Sequence, residues 1–534
     1  MKIRPFLGKM KRMVFGYGRL LKYLAVPWKQ LCMTGKQAGE PSHFYLRLRI
    51  NQSNNRGLFG TFVCLLLQRE KWSIVVDDQQ RAFLPWFFKN SQHVCAIAQI
   101  NERQSYYGQI STGTKLYPYA LTCFCKEINK GAAVVYSDQI VCKRNQRESP
   151  VLLRPGFNLE FFRSCNYIGD VVFFRAELLE ESLKQQWFSG DISLYEMALR
   201  LSRKTICFER VPMPLYSSKR AYAEQEEKEI LTKHIQEMYP DCKVSTEGDS
   251  FIHRISYPIS KETKVSIIIP NRDHPEDLRK CVTSIIECST WKNYEILVVE
   301  NGSTKPEIQH YYEELQQEER VRILNWLTDF NYAGINNWAA QQAEGQFLLF
   351  LNNDVEVISP GWIEEMLMHA QRAGVGAVGA KLLYPDGMVQ HGGVIIGIAG
   401  VAGHAYKHLS ADDMRNMGQL QAVRNSSAVT GACMMVKRNR YFAVNGMDEA
   451  LAVAYNDVDL CLRLHARGWN NVYTPYAVLY HYESKTRGAE EGEKQKRFEQ
   501  EVAWMKQRWH KKLMKGDPYH HPYYSKDDEQ YRLL

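Results

Sequence analysis

Apolar runs alternate with amphipathic segments through the second half of the chain. Short apolar runs typical of buried strands lie at 265–269, 294–299, 321–324 and 346–351. Segments with apolar residues at helical spacing separate them, at 276–289, 306–319 and 336–343. This order predicts an α/β unit with a mostly parallel sheet and helices on both faces.

The pattern upstream is less regular and predicts a second, related unit. Residues 44–50 and 72–78 each predict a strand, so 40–94 is interpreted as a small β-rich segment. An internal repeat then relates 166–179 to 427–442 and 194–216 to 457–480. Residues 132–141 are interpreted as the counterpart of 347–357, which leaves about 376–425 as extra chain in the second copy.

These patterns divide the chain into six parts. The predicted parts are a basic amphipathic segment (1–39), the β-rich segment (40–94), a degenerate unit (95–222), a linker (223–262), the main α/β unit (263–488) and a C-terminal helix and tail (489–534). The repeated units differ at acidic positions, since Leu194 falls where the second copy has Asp457. The first unit is therefore interpreted as structural and the second as the one that carries chemistry.

Charge and composition narrow the functional classes. The formal net charge is +9, and residues 1–39 hold nine Lys and Arg residues and no acid. The rest of the chain is close to neutral, which argues against a nucleic-acid binder. Thirteen cysteines without a CxxC pair favour a reducing, cytoplasmic compartment.

The basic N-terminus raises the question of membrane contact. Apolar and basic residues fall on different faces if residues 1–36 form a helix, which predicts contact with an anionic membrane surface. A surface helix docked on the protein itself and a transit peptide are the alternatives. The longest apolar run, 58–67, has ten residues and falls short of the roughly 20 that span a bilayer. We therefore expect a soluble protein in the cytoplasm, at the inner face of the membrane if the N-terminus binds lipid.

One apparent cofactor motif is set aside. Residues 374–379 read GVGAVG, which matches the letters of a dinucleotide fingerprint. That fingerprint requires a strand, then the glycines, then a helix. Here a predicted helix precedes the glycines and a strand overlaps them, so no dinucleotide is expected.

Polar residues follow three of the predicted strands at the point where each strand ends. Ligands bind at the carboxyl ends of parallel strands, so these residues are candidates for one shared site. Turn formation would also explain Asn, Asp and Gly there. The candidates are Pro270, Asn271 and Asp273 after the first strand, Glu300 after the second, and Asn352, Asn353 and Asp354 after the fourth.

Two further candidates lie downstream. Asp457 begins a predicted helix, where it could serve as an N-cap or direct a carboxylate into a site. His481 follows a predicted strand and is interpreted either as a ligand or as a surface residue.

Five segments in this order resemble glycosyltransferase family 2, inverting transferases of the GT-A fold. They are VSIIIPNRD, EILVVENGST, FLLFLNNDVEV, AYNDVDLCLRLHARG and LYHYES. The resemblance covers about 263–488. The upstream unit resembles a degenerate copy of the same domain, as in bacterial two-unit members that build surface polysaccharides.

The resemblance implies roles for the candidate residues. Pro270, Asn271, Asp273, Glu300, Asn352 and Asn353 would bind the nucleotide-sugar donor, with UDP or dTDP as the expected nucleotide. Asp354 and His481 would bind a divalent cation, Mg²⁺ or Mn²⁺, which suits oxygen ligands. Asp457 would be the general base. The acceptor would be a glycan or a lipid-linked oligosaccharide, and the reaction hexosyl or rhamnosyl transfer. On its location alone, the extra segment 376–425, with Lys381, Asp386 and His391, is expected to bind the acceptor.

Three alternatives remain at this point. The protein could be an inactive glycosyltransferase-like scaffold or binding subunit of a polysaccharide assembly complex. It could be a membrane-recruited adaptor whose main element is the N-terminal segment. A nucleotidyltransferase would need a Gly-rich loop after the first strand, and PNRDHPEDLRK contains no glycine.

Overall fold

The computed structural model describes eleven stretches of the chain. They are 43–49, 71–76, 94–96, 105–111, 114–117, 120–142, 150–189, 191–218, 226–246, 250–482 and 492–534. The predicted basic segment 1–39 lies outside these residues. No helix within the described stretches is long and apolar enough to cross a membrane.

Two sheets organise the described residues, one in each half of the chain. The strands of the first sheet are β1 (His43–Arg49), β2 (Lys71–Val76), β3 (Val94–Ala96), β4 (Ser105–Ser111), β5 (Lys115–Leu116), β6 (Val134–Val141), β7 (Val151–Leu152), β8 (Val172–Arg175) and β9 (Phe208–Ser218). Its helices are α1 (Ala120–Ile128), α2 (Leu159–Ser164), α3 (Glu181–Ser189) and α4 (Leu194–Lys204). Between the sheets lie α5 (Glu226–Gln236), β10 (Lys243–Thr246) and β11 (His253–Ser256).

The second sheet and its connections fill the C-terminal half. The strands are β12 (Val265–Asn271), β13 (Tyr294–Glu300), β14 (Val321–Asn325), β15 (Phe347–Leu351), β16 (Val355–Val357), β17 (Val375–Leu383), β18 (Val389–His391), β19 (Val394–Ile396), β20 (Ala402–His404), β21 (Arg424–Ser426), β22 (Cys433–Lys437) and β23 (Asn470–His481). The helices are α6 (Pro275–Cys288), α7 (Pro306–Leu315), α8 (Tyr332–Gln342), α9 (Trp362–Ala370), α10 (Arg415–Gly418), α11 (Arg438–Ala443), α12 (Asn456–Ala466) and α13 (Glu493–Lys515).

The second sheet has a parallel half and a mostly antiparallel half, in the order β14-β13-β12-β15-β22-β17-β23-β16. Strands β14, β13, β12 and β15 are parallel neighbours, and β22 joins them antiparallel. Alternate residues of β12 enter different cores: Val265, Ile267 and Ile269 pack with α6, α7 and α9, whereas Ile268 packs with α8 and α12. The predicted α/β class with helices on both faces is confirmed, but the sheet is mixed rather than mostly parallel, since four of its strand pairs are parallel and five are antiparallel.

The first sheet repeats the strand order of the second. Its order, β3-β2-β1-β4-β8-β6-β9-β5, matches the other strand for strand when β1 is set against β12. In this correspondence β6 (134–141) is the equivalent of β17 (375–383). The predicted equivalence of this stretch with 347–357 is therefore wrong. Buried strands have similar apolar patterns, so the sequence alone does not show which strand of the second unit is equivalent to β6; the order of neighbours in the sheet does.

Two of the predicted parts also differ from the structure. Strands β1, β2 and β3, from the β-rich segment 40–94, belong to the same sheet as β4. The predicted linker 223–262 contains α5 and the β10–β11 hairpin. Leu231, Ile235, Ile252 and Ile255 bury their side chains in the core of the first unit, which explains why this stretch is folded.

Candidate active site

The amides after β12 and β15 meet at one edge of the second sheet. Asn353 Nδ2 donates to Asn271 Oδ1 at 2.7 Å, and Asn271 Nδ2 donates to the Tyr312 hydroxyl at 2.8 Å. Pro270 and Asn353 are half-buried, and Asn271 is buried. The predicted convergence of the two strand ends is therefore present in the structure.

The carboxylates of Glu300 and Asp273 form hydrogen bonds within the protein at this edge. Glu300 accepts hydrogen bonds from the Ser303 N–H and hydroxyl and from the Tyr312 hydroxyl. Asp273 Oδ1 accepts the N–H groups of Thr304 and Lys305 at 2.8 and 3.0 Å. Both carboxylates thus hold the loop that leads into α7. The sequence analysis did not predict these hydrogen bonds within the protein.

Asp354 and His481 form a second pair beside these amides. Asp354 is 7% exposed, and its Oδ1 lies 3.1 Å from His481 Nε2. Burial raises the pKa of the Asp354 carboxyl, but the hydrogen bond and charge of His481, together with a backbone N–H and the charge of His274, lower it, so the net pKa lies below its usual value. On its other side, His481 Nδ1 lies 2.9 Å from Gln390 Oε1, which can accept a hydrogen bond from Nδ1–H, and Nε2 also lies 3.2 Å from Nδ2 of Asn352.

This pair is suited to a divalent cation. Adjacent ligand atoms of an octahedral ion with bonds of about 2.1 Å lie about 3 Å apart, like the two atoms of this pair. Asp354 Oδ1 is buried and lacks a hydrogen bond of good geometry, so it has capacity for a further partner. Among the described residues, no group of three or more His, Cys, Asp or Glu side chains could hold a metal ion. Other ligands would come from the substrate and water, as Mg²⁺ sites commonly arrange them.

Asp457 lies in the first turn of α12, one residue inside the helix. Its Oδ2 accepts the N–H of Gly431 at 2.8 Å, and its Oδ1 accepts the N–H of Val458 at 2.7 Å. The helix N-cap is Tyr455, so the alternative that Asp457 serves as the N-cap is wrong. Asp457 is half-buried, so its carboxylate is fixed in place without being sealed from solvent.

Tyr332 lies between the surroundings of Asp354 and those of Asp457. Its hydroxyl donates to the Gly431 carbonyl at 3.1 Å and lies 3.5 Å from Oδ1 of Asn352. Burial first, and then the charge of Asp457, raise the pKa of this hydroxyl, which keeps it a donor. Because Gly431 also binds Asp457, the segment after β15 and the start of α12 lie next to each other.

The predicted acceptor segment is divided by the structure. Its beginning belongs to β17, where burial lowers the pKa of Lys381 to about 8 and Nζ donates to Gln421 Oε1 at 3.1 Å. Asp386 forms an exposed turn. His391 is buried, with Nε2 3.4 Å from the Thr430 N–H and Nδ1 3.0 Å from Nδ1 of His404. Of the three residues named, only His391 lies near the Gly431 loop.

Several residues of the site were not identified from the sequence. Tyr312, Tyr332, Gln390 and Gly431 each contact a predicted site residue. A single Tyr, Gln or Gly gives no distinctive pattern, and the contacts of Tyr332, Gln390 and Gly431 join elements far apart in the chain. The sequence offers two signals for the site, the order of the strand ends and the family resemblance of the segments that contain Asp457 and His481.

Residues 266–439 match the family model described as Glycosyl transferase family 2. The match spans β12 to α11 and so includes the strand ends, Asp354 and the Gly431 loop. The chain therefore carries a glycosyltransferase family 2 domain. This result and the strand order agree with the GT-A class predicted from the sequence.

Curated relatives extend the similarity beyond this domain. The uncharacterized protein y4gI of Sinorhizobium fredii is 36% identical over 442 residues, which are 76% of this chain and 47% of that protein. The O-antigen biosynthesis protein RfbC of Myxococcus xanthus is 33% identical, over 73% of this chain and 31% of RfbC. An N-acetylglucosaminyl-diphospho-decaprenol L-rhamnosyltransferase of Mycobacterium tuberculosis is 27% identical over 38% of this chain and 71% of that enzyme. The chain spans less than half the length of the first two relatives.

Two solved structures share a more distant likeness. GalNAc-T7 with UDP, GalNAc and Mn²⁺ gives a TM-score of 0.40 at 14% identity, covering 47% of this chain and 49% of that one. The mannosyltransferase PcManGT of Pyrobaculum calidifontis with GDP-Man and Mn²⁺ gives 0.33 at 13% identity, covering 49% and 66%. At these scores the two likenesses support no further conclusion.

Proposed function

We propose that the second unit is a metal-dependent inverting glycosyltransferase. It would move a sugar from a nucleoside-diphosphate sugar to a hydroxyl of a cell-surface glycan or lipid-linked oligosaccharide. The main support is that the Asp354–His481 pair and Asp457 lie close together, connected through Asn352, Tyr332 and Gly431. The names of RfbC and of the rhamnosyltransferase support the substrate class.

The donor would lie across the carboxyl ends of β12, β13 and β15. Pro270, Asn271 and Asn353 form the surface for the base and ribose, with UDP or dTDP as the proposed nucleotide. Glu300 and Asp273 keep the adjoining loop in shape, because their oxygens already accept hydrogen bonds. The diphosphate would reach Asp354 and His481, where a bound Mg²⁺ or Mn²⁺ would offset the charge of the leaving group.

Asp457 would act as the general base. It accepts the proton of the acceptor hydroxyl while that oxygen forms a bond to the anomeric carbon. The bond from this carbon to the diphosphate oxygen breaks, and the nucleoside diphosphate leaves with the electron pair. Attack opposite the leaving group inverts the anomeric configuration. The N–H groups of Gly431 and Val458 hold the carboxylate in the position that this requires.

The acceptor would bind against the chain between β17 and β22. This stretch contains β18 to β21, and Gln390 in β18 contacts His481. A substrate seated there would therefore lie beside the proposed metal ligand. The assignment of acceptor binding to this stretch rests on its location.

A transfer assay tests the proposed activity. The full chain is incubated with UDP-, dTDP-, GDP- and CDP-sugars, Mn²⁺ and a mixture of free and lipid-linked oligosaccharides, and nucleoside diphosphate release is measured. We expect release from one nucleotide class, dependent on acceptor, and an inverted linkage in the product by NMR. Retention of configuration, or no release with any donor, would contradict the proposal.

An inactive scaffold remains the second candidate. Two observations favour it: Asn352 and Asn353 supply amides beside Asp354, and the described residues contain no three-ligand metal group. A protein that binds a nucleotide without metal and transfers no sugar would match this candidate.

We also propose that residues 1–36 bring the protein to an anionic membrane surface. Their nine basic residues among apolar positions support this. Deletion of 1–36 should abolish salt-sensitive binding to anionic vesicles and leave transfer to a soluble acceptor intact. Equal vesicle binding by both proteins would contradict it.

A further inference from the structure

The long helix α13 packs across the loop that leads into Asp457. Glu501, on the inner face of this helix, is 2% exposed. Its Oε1 accepts the N–H of Val453 at 2.9 Å, and its Oε2 accepts the N–H of Ala454 at 3.1 Å. Both carboxylate oxygens are therefore used on two consecutive residues of one loop, three and four positions before Asp457.

This loop needs such support because its backbone is strained. Tyr455 has φ of 62°, a left-handed conformation that is uncommon for a residue with a side chain. Asn456 closes the loop from inside, with Nδ2 3.2 Å from the Leu451 carbonyl and 3.1 Å from the Val453 carbonyl. The adjacent N–H groups point the other way, toward Glu501.

A second contact ties α13 to α12 itself. Trp509 Nε1 donates to Oδ1 of Asp459 at 2.9 Å, two residues after Asp457. The helix thus holds the chain on both sides of the proposed base. Charge-assisted bonds to a buried carboxylate are stronger than neutral ones, so Glu501 is the main anchor on the loop side.

We infer that Glu501 is a positioning residue for Asp457: its buried carboxylate holds the N–H groups of Val453 and Ala454 and so sets where the base meets the acceptor hydroxyl. Glu501 itself touches no substrate. This inference rests on the proposed function, since it concerns the same transfer step.

The test compares Glu501→Gln with Glu499→Gln in the full chain. The carboxamide that the first substitution introduces keeps one acceptor oxygen and sets its NH₂ against a backbone N–H. Small displacements of a catalytic group have large effects on rate, so kcat should fall about tenfold or more. The nucleotide Kd should stay within about twofold, because the donor edge lies on other elements. Glu499 is exposed on the same helix, and its substitution should change neither quantity.

Hydrogen exchange supplies a readout that does not depend on activity. The amides of 451–457 should exchange faster in Glu501→Gln than in the wild type or in Glu499→Gln. If Glu501→Gln does not fold, Glu501→Asp, which keeps the charge on a shorter side chain, takes its place and should show the same separation of kcat from Kd.

Three results would overturn the inference. The first is an unchanged kcat, the second is unchanged exchange of 451–457, and the third is an equal loss of kcat and nucleotide affinity, which would indicate a general structural role. A wild type without transfer activity would instead refute the proposed function, and the exchange data would then still show whether Glu501 orders the loop.

Discussion

At the scale of single residues, Asp457 is a carboxylate held in place by two backbone N–H groups. An ionised carboxylate has about four lone-pair sites, and Gly431 and Val458 use two of them. The remaining sites are free to accept a proton from a substrate hydroxyl. The same contacts limit the freedom of the side chain, which favours a single reactive geometry.

Asp457→Asn should lower kcat by about 10²- to 10⁴-fold, the usual contribution of a positioned base. Asn keeps an oxygen for the Gly431 N–H, so the fold and nucleotide Kd should be retained. Steady-state kinetics and nucleotide titration measure both quantities. Asp241→Asn, at an exposed position in the segment between the two sheets, is the control and should behave like the wild type. A fully active Asp457→Asn would rule out this residue as the base.

Tyr332→Phe removes the hydroxyl between the two carboxylate environments and should cost about 1 kcal/mol of stability, because the Gly431 carbonyl loses its partner. Transfer should slow as well, since Gly431 holds Asp457. Urea denaturation and kcat test this, with Tyr239→Phe as control. An unchanged kcat in Tyr332→Phe would show that the connection has no role in transfer.

Strand order explains which residues of the site could be predicted. Asn271, Asn353 and Asp354 follow parallel strands, and such strand ends share one edge whatever the side chains do. Gln390 and Tyr332 reach the site from elements 91 and 99 residues away from their partners His481 and Gly431. Their placement depends on packing between distant segments, which no local pattern records. The bonding of Glu300 is instead local, to Ser303 and Tyr312, three and twelve residues further along the chain, and the prediction missed it.

At the scale of elements, the two sheets support the proposal that the first unit is a degenerate copy of the second. Three residues separate β4 from β5, and three separate β15 from β16. Thr114 therefore stands where the second unit has Asp354, and Leu194 begins the helix that corresponds to α12. The first unit lacks both carboxylates, which supports a structural role.

Helix α2 and strand β21 join the two units through paired asparagines. Asn158 Nδ2 donates to the Asn425 carbonyl at 2.9 Å, and Asn158 Oδ1 accepts the N–H groups of Asn425 and Phe161. The buried Glu160–Arg372 ion pair, at 2.8 Å, lies beside them. The first unit thus supports the stretch proposed to bind the acceptor.

Asn158→Ala should cost about 2 kcal/mol, because it removes a helix cap and leaves buried backbone groups of the other unit unpaired. Ser193→Ala is the matched control. Ser193 is the N-cap of α4, and its Oγ accepts the Glu196 N–H, so this substitution also removes a helix cap but does not affect the second unit. That loss should be about 1 kcal/mol. Chemical denaturation measures both. Equal losses would show that the contact between units adds little.

At the scale of the whole molecule, buried histidines set the response to acid. Burial is the first cause that lowers the pKa of His234 and His369 to about 3 and that of His253 and His520 to about 4. The unfolded chain, with pKa values near 6.5, then binds more protons than the folded protein. Stability from these groups is complete above about pH 6.5 and is lost as the pH falls, through about 4 for His253 and His520 and about 3 for His234 and His369.

Melting temperatures at pH 7.5, 6.5, 5.5 and 4.5 should therefore fall steadily below pH 6.5. His520→Gln should reduce the steepness of this fall, since one group that must charge on unfolding is removed. A melting temperature that does not change between pH 6.5 and 4.5 would show that these side chains are accessible to protons in the folded state.

The central claim is that the edge formed by β12, β13 and β15 is a donor site whose cation is held at Asp354. Thermal unfolding with UDP, dTDP, GDP or CDP, each with Mn²⁺ or with EDTA, tests this most directly, because it needs no acceptor. A nucleotide at 100 times its Kd should stabilise the protein by about 2.7 kcal/mol. We expect this with one nucleotide class, only with Mn²⁺, in the wild type and Asp241→Asn but not in Asp354→Ala. No stabilisation by any nucleotide, or equal stabilisation of Asp354→Ala, would contradict the claim.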